Sequence, residues 1–146
     1  MPEIALDLLF MQIKSLDHLV LAVQAMQRTC DFYQRVLAME VMTFGGDFLR
    51  DGKAECYALQ FGNQKINLHQ QGQEFEPKAT HPTPGSADLC FVTDVPLAQV
   101  IEHLQTCGVT IEAGTVPRTG AVGAIASLYI RDPDGNLLEI LNYGVL

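Results

Sequence analysis

Hydrophobic and polar residues follow two regular patterns in the first half of the chain. Ser15–Val23 is a short, mostly apolar run with β-branched residues, which predicts a strand, and a period of two puts His18, Val20 and Ala22 on one of its faces. Met26–Met39 carries hydrophobic residues at the three- to four-residue spacing of an amphipathic helix. Short hydrophobic stretches separated by turns then predict three further strands. These strands are Glu40–Phe44, Cys56–Phe61 and Gln64–Gln70, with a loop at Gly45–Lys53 after the first.

The second half of the chain repeats this order of elements. Its patterns predict a strand, a helix that ends at Gly108, a short strand, a loop and a closing hairpin. An order of elements that occurs twice indicates an internal duplication. The predicted elements are Ser86–Asp94, Pro96–Cys107, Val109–Ile111, Pro117–Gly123, Ser127–Arg131 and Leu137–Leu141.

The length of 146 residues suits one domain made of two small modules. We predict an N-terminal extension at 1–13 and a single domain at 14–146. Module 1 covers about 15–71, a connector rich in Gln, Gly and Pro covers 72–85, and module 2 covers about 86–143. The predicted fold class is α+β, with two tandem βαβββ modules. Each module packs its helix on one sheet face, so the two open faces together form a cup with a curved mixed sheet.

Composition narrows the class of protein. Hydrophobic residues make up 48% of the chain and charged residues 18%, the balance of a soluble globular protein. The net charge of −8 argues against nucleic-acid binding. The apolar run Ile4–Phe10 is interrupted by Asp7 and is too short to span a bilayer. Four cysteines without a Cys-x-x-Cys pair indicate free thiols and a reducing, cytoplasmic location.

Glu139 lies near the middle of an otherwise apolar strand, after the turn Asp132–Asn136. Taking a carboxylate out of water costs several kcal/mol unless a cation or hydrogen-bond donors satisfy it. Two alternatives follow from the strand alone. Glu139 points to water from a one-sided strand, or it points into a cleft and binds a metal ion.

The same hairpin carries a resemblance to a known family. Tyr-x-x-Asp-Pro-Asp-Gly-Asn-x-x-Glu, at 129–139, resembles the C-terminal signature of the vicinal-oxygen-chelate superfamily, which includes glyoxalases, extradiol dioxygenases and bleomycin-binding proteins. Asp-His-Leu-Val-Leu-Ala-Val, at 17–23, is similar to its first strand, and Ala38 stands where a Gly is usual. The stretches 61–69, 74–79, 84–90 and 118–121 resemble the glyoxalase domain-containing protein 5 group and related bacterial virulence-associated proteins.

The resemblance implies one divalent metal ion per site, which would be Ni, Zn, Mn, Fe or Co, with His18 and Glu139 as ligands. Asn67 is the pseudo-symmetric counterpart of Glu139, but an amide is a weak ligand. We therefore predict His69, on the same face of the strand, as the third ligand and Asn67 as a nearby hydrogen-bonding group. Asp88 stands where glyoxalase I, methylmalonyl-CoA epimerase and the fosfomycin-resistance thiol transferases of this superfamily have a His. It is a metal ligand, a general base or a cap at the start of a strand.

Tyr129 and Arg118 complete the predicted site. Tyr129 donates a hydrogen bond to the substrate or is an ordinary strand aromatic, and Arg118 holds an anionic substrate or is a solvated loop charge.

Three classes of function remain open. They are a metal-dependent lyase, isomerase or epimerase acting on a small α-oxygenated carbonyl compound, a metal-dependent dioxygenase or thiol transferase, and a metal-free antibiotic-binding protein. The expected partners are a small-molecule substrate and a second copy of the chain in a homodimer, without nucleic acid or membrane. The cup is built within one chain or across the dimer.

Overall fold

The computed structural model of the protein describes residues 11–44 and 56–144. The Gly45–Lys53 loop and most of the predicted N-terminal extension lie outside these residues. Strands and helices occur in the order βαβββ twice, as predicted. The first set is β1 His18–Val23, α1 Met26–Leu37, β2 Glu40–Phe44, β3 Cys56–Phe61 and β4 Gln64–Gln70. The second set is β5 Asp88–Val92, α2 Leu97–Thr106, β6 Ala113–Gly120, β7 Gly123–Arg131 and β8 Leu137–Tyr143.

Each set forms its own four-stranded mixed sheet. The strand orders are β1-β4-β3-β2 and β5-β8-β7-β6, so β1 and β5 are edge strands. In each sheet the edge strand runs parallel to its neighbour, whereas the remaining pairs are antiparallel. This topology confirms the predicted α+β fold class and its two βαβββ modules.

Alternation along the strands divides each sheet into a core face and an opposite face. One hydrophobic cluster joins strand residues of the core face to both helices. Its members include Leu21, Val23, Cys30, Tyr33, Leu59, Ile66, Leu68, Leu104, Leu128, Leu138 and Ile140. Residues of the other parity lie on what we call the open face. They are His18, Val20, Asn67 and His69 in module 1, and Asp88, Cys90, Ser127, Tyr129 and Glu139 in module 2.

Two predicted elements of module 2 differ from the structure. Pro117 and Arg118, which the sequence placed in a loop, lie in β6 and pair with β7. Proline lacks a backbone N–H, but an edge strand such as β6 tolerates it because one side of that strand needs no donor. Val109–Ile111, predicted as a strand, is irregular. Its alternation arises because Val109 and Ile111 pack against the core.

The end of α1 explains why the superfamily usually has a Gly at this position. Ala38 has φ +54° and ψ +29°, the left-handed conformation, and its neighbour Met39 donates to the Tyr33 carbonyl at 3.2 Å. This conformation costs a residue with a Cβ about 1–2 kcal/mol. In this chain the turn from α1 into β2 therefore costs conformational free energy that a glycine at position 38 would avoid.

The Asp-Pro-Asp-Gly-Asn turn joins module 2 to module 1, a contact that we call the inter-module seam. The Asp132 carboxylate is buried and accepts hydrogen bonds from the turn and from Tyr33 Oη of α1, at 2.7 Å. Burial raises the pKa of Tyr33, and the charge of Asp132 raises it further. Asp134 accepts from the Gln24 backbone N–H at 3.3 Å and lies 3.5 Å from Arg28. Both carboxylates of the motif are therefore used to hold the modules together.

Candidate functional site

Glu139 is the most enclosed charged group of the open face, with 8% of the residue exposed. Ser127 Oγ donates to Glu139 Oε2 at 2.5 Å, and Cys90 Sγ donates to Oε1 at 3.3 Å. Burial raises the pKa of Glu139, but hydrogen bonds from Ser127, Cys90 and Tyr129, together with the charge of Arg118, outweigh burial and lower it. The carboxylate is thus ionised and satisfied by donors, and the alternative that it points to water does not hold.

Cys90 keeps its proton and acts as a donor. Burial, the hydrogen bond to Glu139 and the charges of Glu139 and Asp88 raise the pKa of Cys90 to about 11. Strand pairing places Cys90 directly beside Glu139. Sequence reasoning missed the roles of Ser127 and Cys90. The sequence contains a signal for these roles, because both residues are small and polar and both lie on strands that pair with the strand of Glu139.

Tyr129 and Arg118 extend this group of side chains. Tyr129 lies directly opposite Glu139 in the β7–β8 pair, and it is among the groups that lower the pKa of that carboxylate. Arg118 Nε donates to Tyr129 Oη at 3.1 Å. The structure therefore brings together three of the predicted site residues, Arg118, Tyr129 and Glu139, on one part of the open face.

The strand registers relate the two modules. Val20 pairs with Asn67 across β1 and β4, as Cys90 pairs with Glu139 across β5 and β8. Asn67 therefore occupies the place of Glu139, as the sequence predicted. His18 and Asp88 are each the first residue of their edge strand and correspond in the same way.

Module 1 offers two unsatisfied or partly satisfied polar groups at these places. Asn67 Oδ1 is buried and has no hydrogen-bond partner among the described residues. His18 Nδ1 bonds to Asp17 Oδ2 at 2.8 Å, and its side chain is 42% exposed. A carboxylate on one ring nitrogen is the usual support of a metal-binding histidine.

His69 lies apart from this group. It pairs with Ala22, four residues beyond His18 on β1, a separation of about 13 Å along the strand at about 3.3 Å per residue. Its ring packs edge-on against Phe75 at 5.2 Å between centroids, and it lines a cavity of about 530 Å³ beside the connector. His18, Asp88 and Cys90 line a different cavity, of about 770 Å³. The structure therefore separates His69 from His18 along β1, whereas Asn67 pairs with Val20, two residues from His18.

No three His, Cys, Asp or Glu side chains come together as a metal site within residues 11–44 and 56–144 of one chain. Module 1 and module 2 each carry half of the predicted set on an open face that ends at an unpaired edge strand, β1 or β5. Val20 and Val92, on these two edges, are 47% and 61% exposed.

Comparison with known proteins identifies the family. The model of the Glyoxalase/Bleomycin resistance protein/Dioxygenase superfamily matches residues 15–140. The chain belongs to this superfamily. The chain is 53% identical over 133 residues to the virulence protein STM3117 of Salmonella typhimurium, a match that covers 91% of this chain and 87% of that protein. The crystal structure of STM3117 matches with a TM-score of 0.83 and covers 91% of this chain and 99% of that one.

Further matches are one sequence relative and two solved structures that share the fold. The glyoxalase domain-containing protein RDO1 of Mycosarcoma maydis is 52% identical over 91% of this chain and 70% of its own length. Two solved structures share the fold at 18% identity and a TM-score of 0.65. They are a lactoylglutathione lyase from Agrobacterium tumefaciens, matched over 92% of this chain and 100% of its own, and the antibiotic-binding protein TnmS3 from Streptomyces sp. CB03234, matched over 90% and 98%.

Among residues 11–44 and 56–144, neither α1 nor α2 is long and apolar enough to cross a membrane.

Proposed function

We propose that this protein is a metal-dependent lyase, isomerase or epimerase of the glyoxalase type that acts on a small α-oxygenated carbonyl compound. The ionised, donor-held carboxylate of Glu139 on the open face carries this proposal. Carboxylates fixed in this way serve as ligands of divalent cations, and superfamily members often use such a metal.

The residues present fit a first-row divalent metal. His18 supplies an imidazole supported by Asp17, Asp88 and Glu139 supply carboxylates, and Asn67 supplies a buried amide oxygen that has no other partner among the described residues. Nitrogen and carboxylate donors suit Zn, Ni, Co, Mn and Fe. A metal held by these groups would polarise the carbonyl of a bound substrate.

The remaining side chains have separate roles in this proposal. Ser127 and Cys90 orient Glu139 by donating hydrogen bonds to it, and Tyr129 lies directly opposite it on β7. Asp88 is exposed at the start of β5, so it can accept a proton from a substrate as a general base if it is not itself a ligand.

We also propose that the cup is assembled across a homodimer. The edge strand β1 of one chain lies beside β5 of the other, which joins His18 and Asn67 to Asp88 and Glu139. This arrangement would cover the edges of β1 and β5, where Val20 and Val92 are exposed. It would also bring together the proposed metal ligands, half of which lie on each module.

The first test is metal content. Protein purified without a polyhistidine tag should contain about one divalent metal ion per chain, and Glu139→Gln should lose most of it because the amide is a weak ligand. Glu102→Gln on the exposed surface of α2 is the matched control and should keep its metal. Unchanged metal in Glu139→Gln would reject the ligand assignment. Metal-free unsubstituted protein that still binds small molecules would instead indicate a binding protein.

A second test concerns β4. The register leads us to expect that Asn67→Ala weakens metal binding by about tenfold, whereas His69→Ala leaves it within about twofold. This order is the opposite of the one that the sequence alone predicted. Competition with a chromophoric chelator measures the two affinities. A severe loss in His69→Ala with little change in Asn67→Ala would restore His69 as the ligand.

A further inference from the structure

Arg118 is an oriented cation that forms no salt bridge with a carboxylate among residues 11–44 and 56–144. Its Nε donates to Tyr129 Oη at 3.1 Å and its Nη1 donates to the Pro117 carbonyl at 2.9 Å. Its guanidinium carbon lies 5.7 Å from the Tyr129 ring centroid. The salt bridges found among the described residues involve Arg28, Lys78, Arg131 and His18 instead.

Two hydrogen bonds and the Tyr129 ring hold the Arg118 side chain in one orientation. The residue is exposed in β6, yet two hydrogen bonds restrict its long side chain. A solvated arginine gains little from such restriction, since ordering it costs side-chain entropy. A guanidinium held in one position, with Nη2 and part of Nη1 still available, presents the edge that binds a planar anion with two parallel hydrogen bonds.

The neighbouring charges select among anions. Glu139 and Asp88 both lie on the open face of module 2, and the charges of both act on Cys90. A doubly charged phosphate placed near these carboxylates would be repelled at close range. A singly charged carboxylate bound at the outer edge of Arg118 experiences less repulsion and matches the planar fork better.

The distance between Arg118 and Glu139 limits the ligand. Arg118 Nε lies 3.1 Å from Tyr129 Oη, and strand pairing places Tyr129 directly opposite Glu139, so the guanidinium and the carboxylate share one part of the open face. A molecule that contacts Arg118 with one end and the Glu139 region with the other therefore has its two polar groups only a few bonds apart.

We infer that Arg118, oriented by Tyr129, binds the carboxylate of a short oxo- or hydroxy-carboxylic acid, and that the oxygen function of this acid lies toward Glu139. The inference names the substrate class of the proposed enzyme and rests on that proposal for the chemistry, although binding itself needs only Arg118 and Tyr129. Neutral carbonyl compounds are excluded as preferred ligands, because they would leave the guanidinium without an anion.

Isothermal titration of the purified dimer with three probes tests the inference. Pyruvate carries the carboxylate, pyruvamide has nearly the same shape without the charge, and inorganic phosphate is the competing anion. We expect pyruvate to bind the unsubstituted protein and to bind Arg118→Gln at least about tenfold more weakly. Pyruvamide should bind weakly and equally to both. Arg118→Lys, which keeps the charge without the fork, should fall between them, and Arg131→Gln is the control arginine.

Several results would overturn the inference. They are equal pyruvate affinity in the unsubstituted protein and Arg118→Gln, the absence of saturable pyruvate binding, and tighter binding of phosphate than of pyruvate. Metal content measured in the same samples separates this inference from the proposed function. Arg118→Gln should retain its metal. Charge-dependent pyruvate binding in a protein without metal would reject the enzyme proposal alone, and metal-loaded protein indifferent to the charge of the probe would reject the Arg118 inference alone.

Discussion

Mixing a His18→Ala chain with a Glu139→Gln chain is expected to restore metal binding that neither variant has alone. If each cup takes module 1 from one chain and module 2 from the other, a hybrid dimer has one cup with both substitutions and one with neither. Random reassociation makes about half of the dimers hybrids, so the mixture should hold about one quarter of the metal of the unsubstituted protein. Metal analysis after co-refolding and removal of free metal measures this fraction.

The control mixture carries both substitutions in module 1. His18→Ala mixed with Asn67→Ala leaves every cup with one damaged module 1, so the metal content of this mixture should lie between those of the His18→Ala and Asn67→Ala chains refolded by themselves. If the cup were built within one chain, the mixture of His18→Ala and Glu139→Gln would fail in the same way as this control. Mass spectrometry of differently tagged chains establishes that hybrids have formed, so that a negative result contradicts the assembly across two chains.

The order of strands and helices was predictable because burial imposes its own period on the sequence. Strand β4 alternates, and α1 repeats its hydrophobic residues at helical spacing, since each packs one face on a single core, whereas β1 and β8 are short, mostly apolar runs. The β6 strand escaped prediction because Pro117 normally interrupts a sheet. Only the topology shows that β6 is an edge strand, where a missing donor has no consequence.

The candidate site was predictable by residue type and less so by position. The motifs led to His18, Glu139, Tyr129 and Arg118, and the structure places the last three next to one another on the open face. Choosing between Asn67 and His69 needed the β1–β4 register, because alternation puts both on the same face. Ligand chemistry alone favours the imidazole of His69, whereas the shorter distance along β1 to His18 favours the amide of Asn67.

The closing motif illustrates a further limit of sequence reasoning. Its Asp-Pro-Asp-Gly-Asn segment resembles a functional signature, but the Asp132 and Asp134 side chains contact module 1. Long-range contacts of this kind, between residues about a hundred positions apart, leave no periodic trace in a single sequence. Part of the signature is therefore explained by folding, and Glu139 is the part that faces the site.

Asp132→Ala is expected to cause the largest loss of stability among single substitutions at the seam. The buried carboxylate accepts from Tyr33 Oη at 2.7 Å, from Asn136 Nδ2 at 2.7 Å and from the backbone N–H groups of Asp134 and Asn136 at 2.9 and 3.0 Å. Alanine would leave these donors without an acceptor, which should lower the free energy of unfolding by about 3–5 kcal/mol. Urea denaturation of metal-free protein at fixed protein concentration measures this change.

Tyr33→Phe distinguishes the contact between the modules from the hydrogen bonds within the turn. It removes the donor from α1 and leaves the donors of the turn in place. Its cost should be about 1–2 kcal/mol in the unsubstituted chain and clearly less when Asp132 is already alanine. Asp94→Ala, an exposed aspartate without a hydrogen bond from its side chain among those found, is the control and should change stability by less than about 0.5 kcal/mol. An equal cost of Tyr33→Phe in both backgrounds would show that the Tyr33–Asp132 bond does not stabilise the seam. Because Tyr33 lies in the core and Glu139 on the open face, folded Tyr33→Phe should bind metal as the unsubstituted protein does.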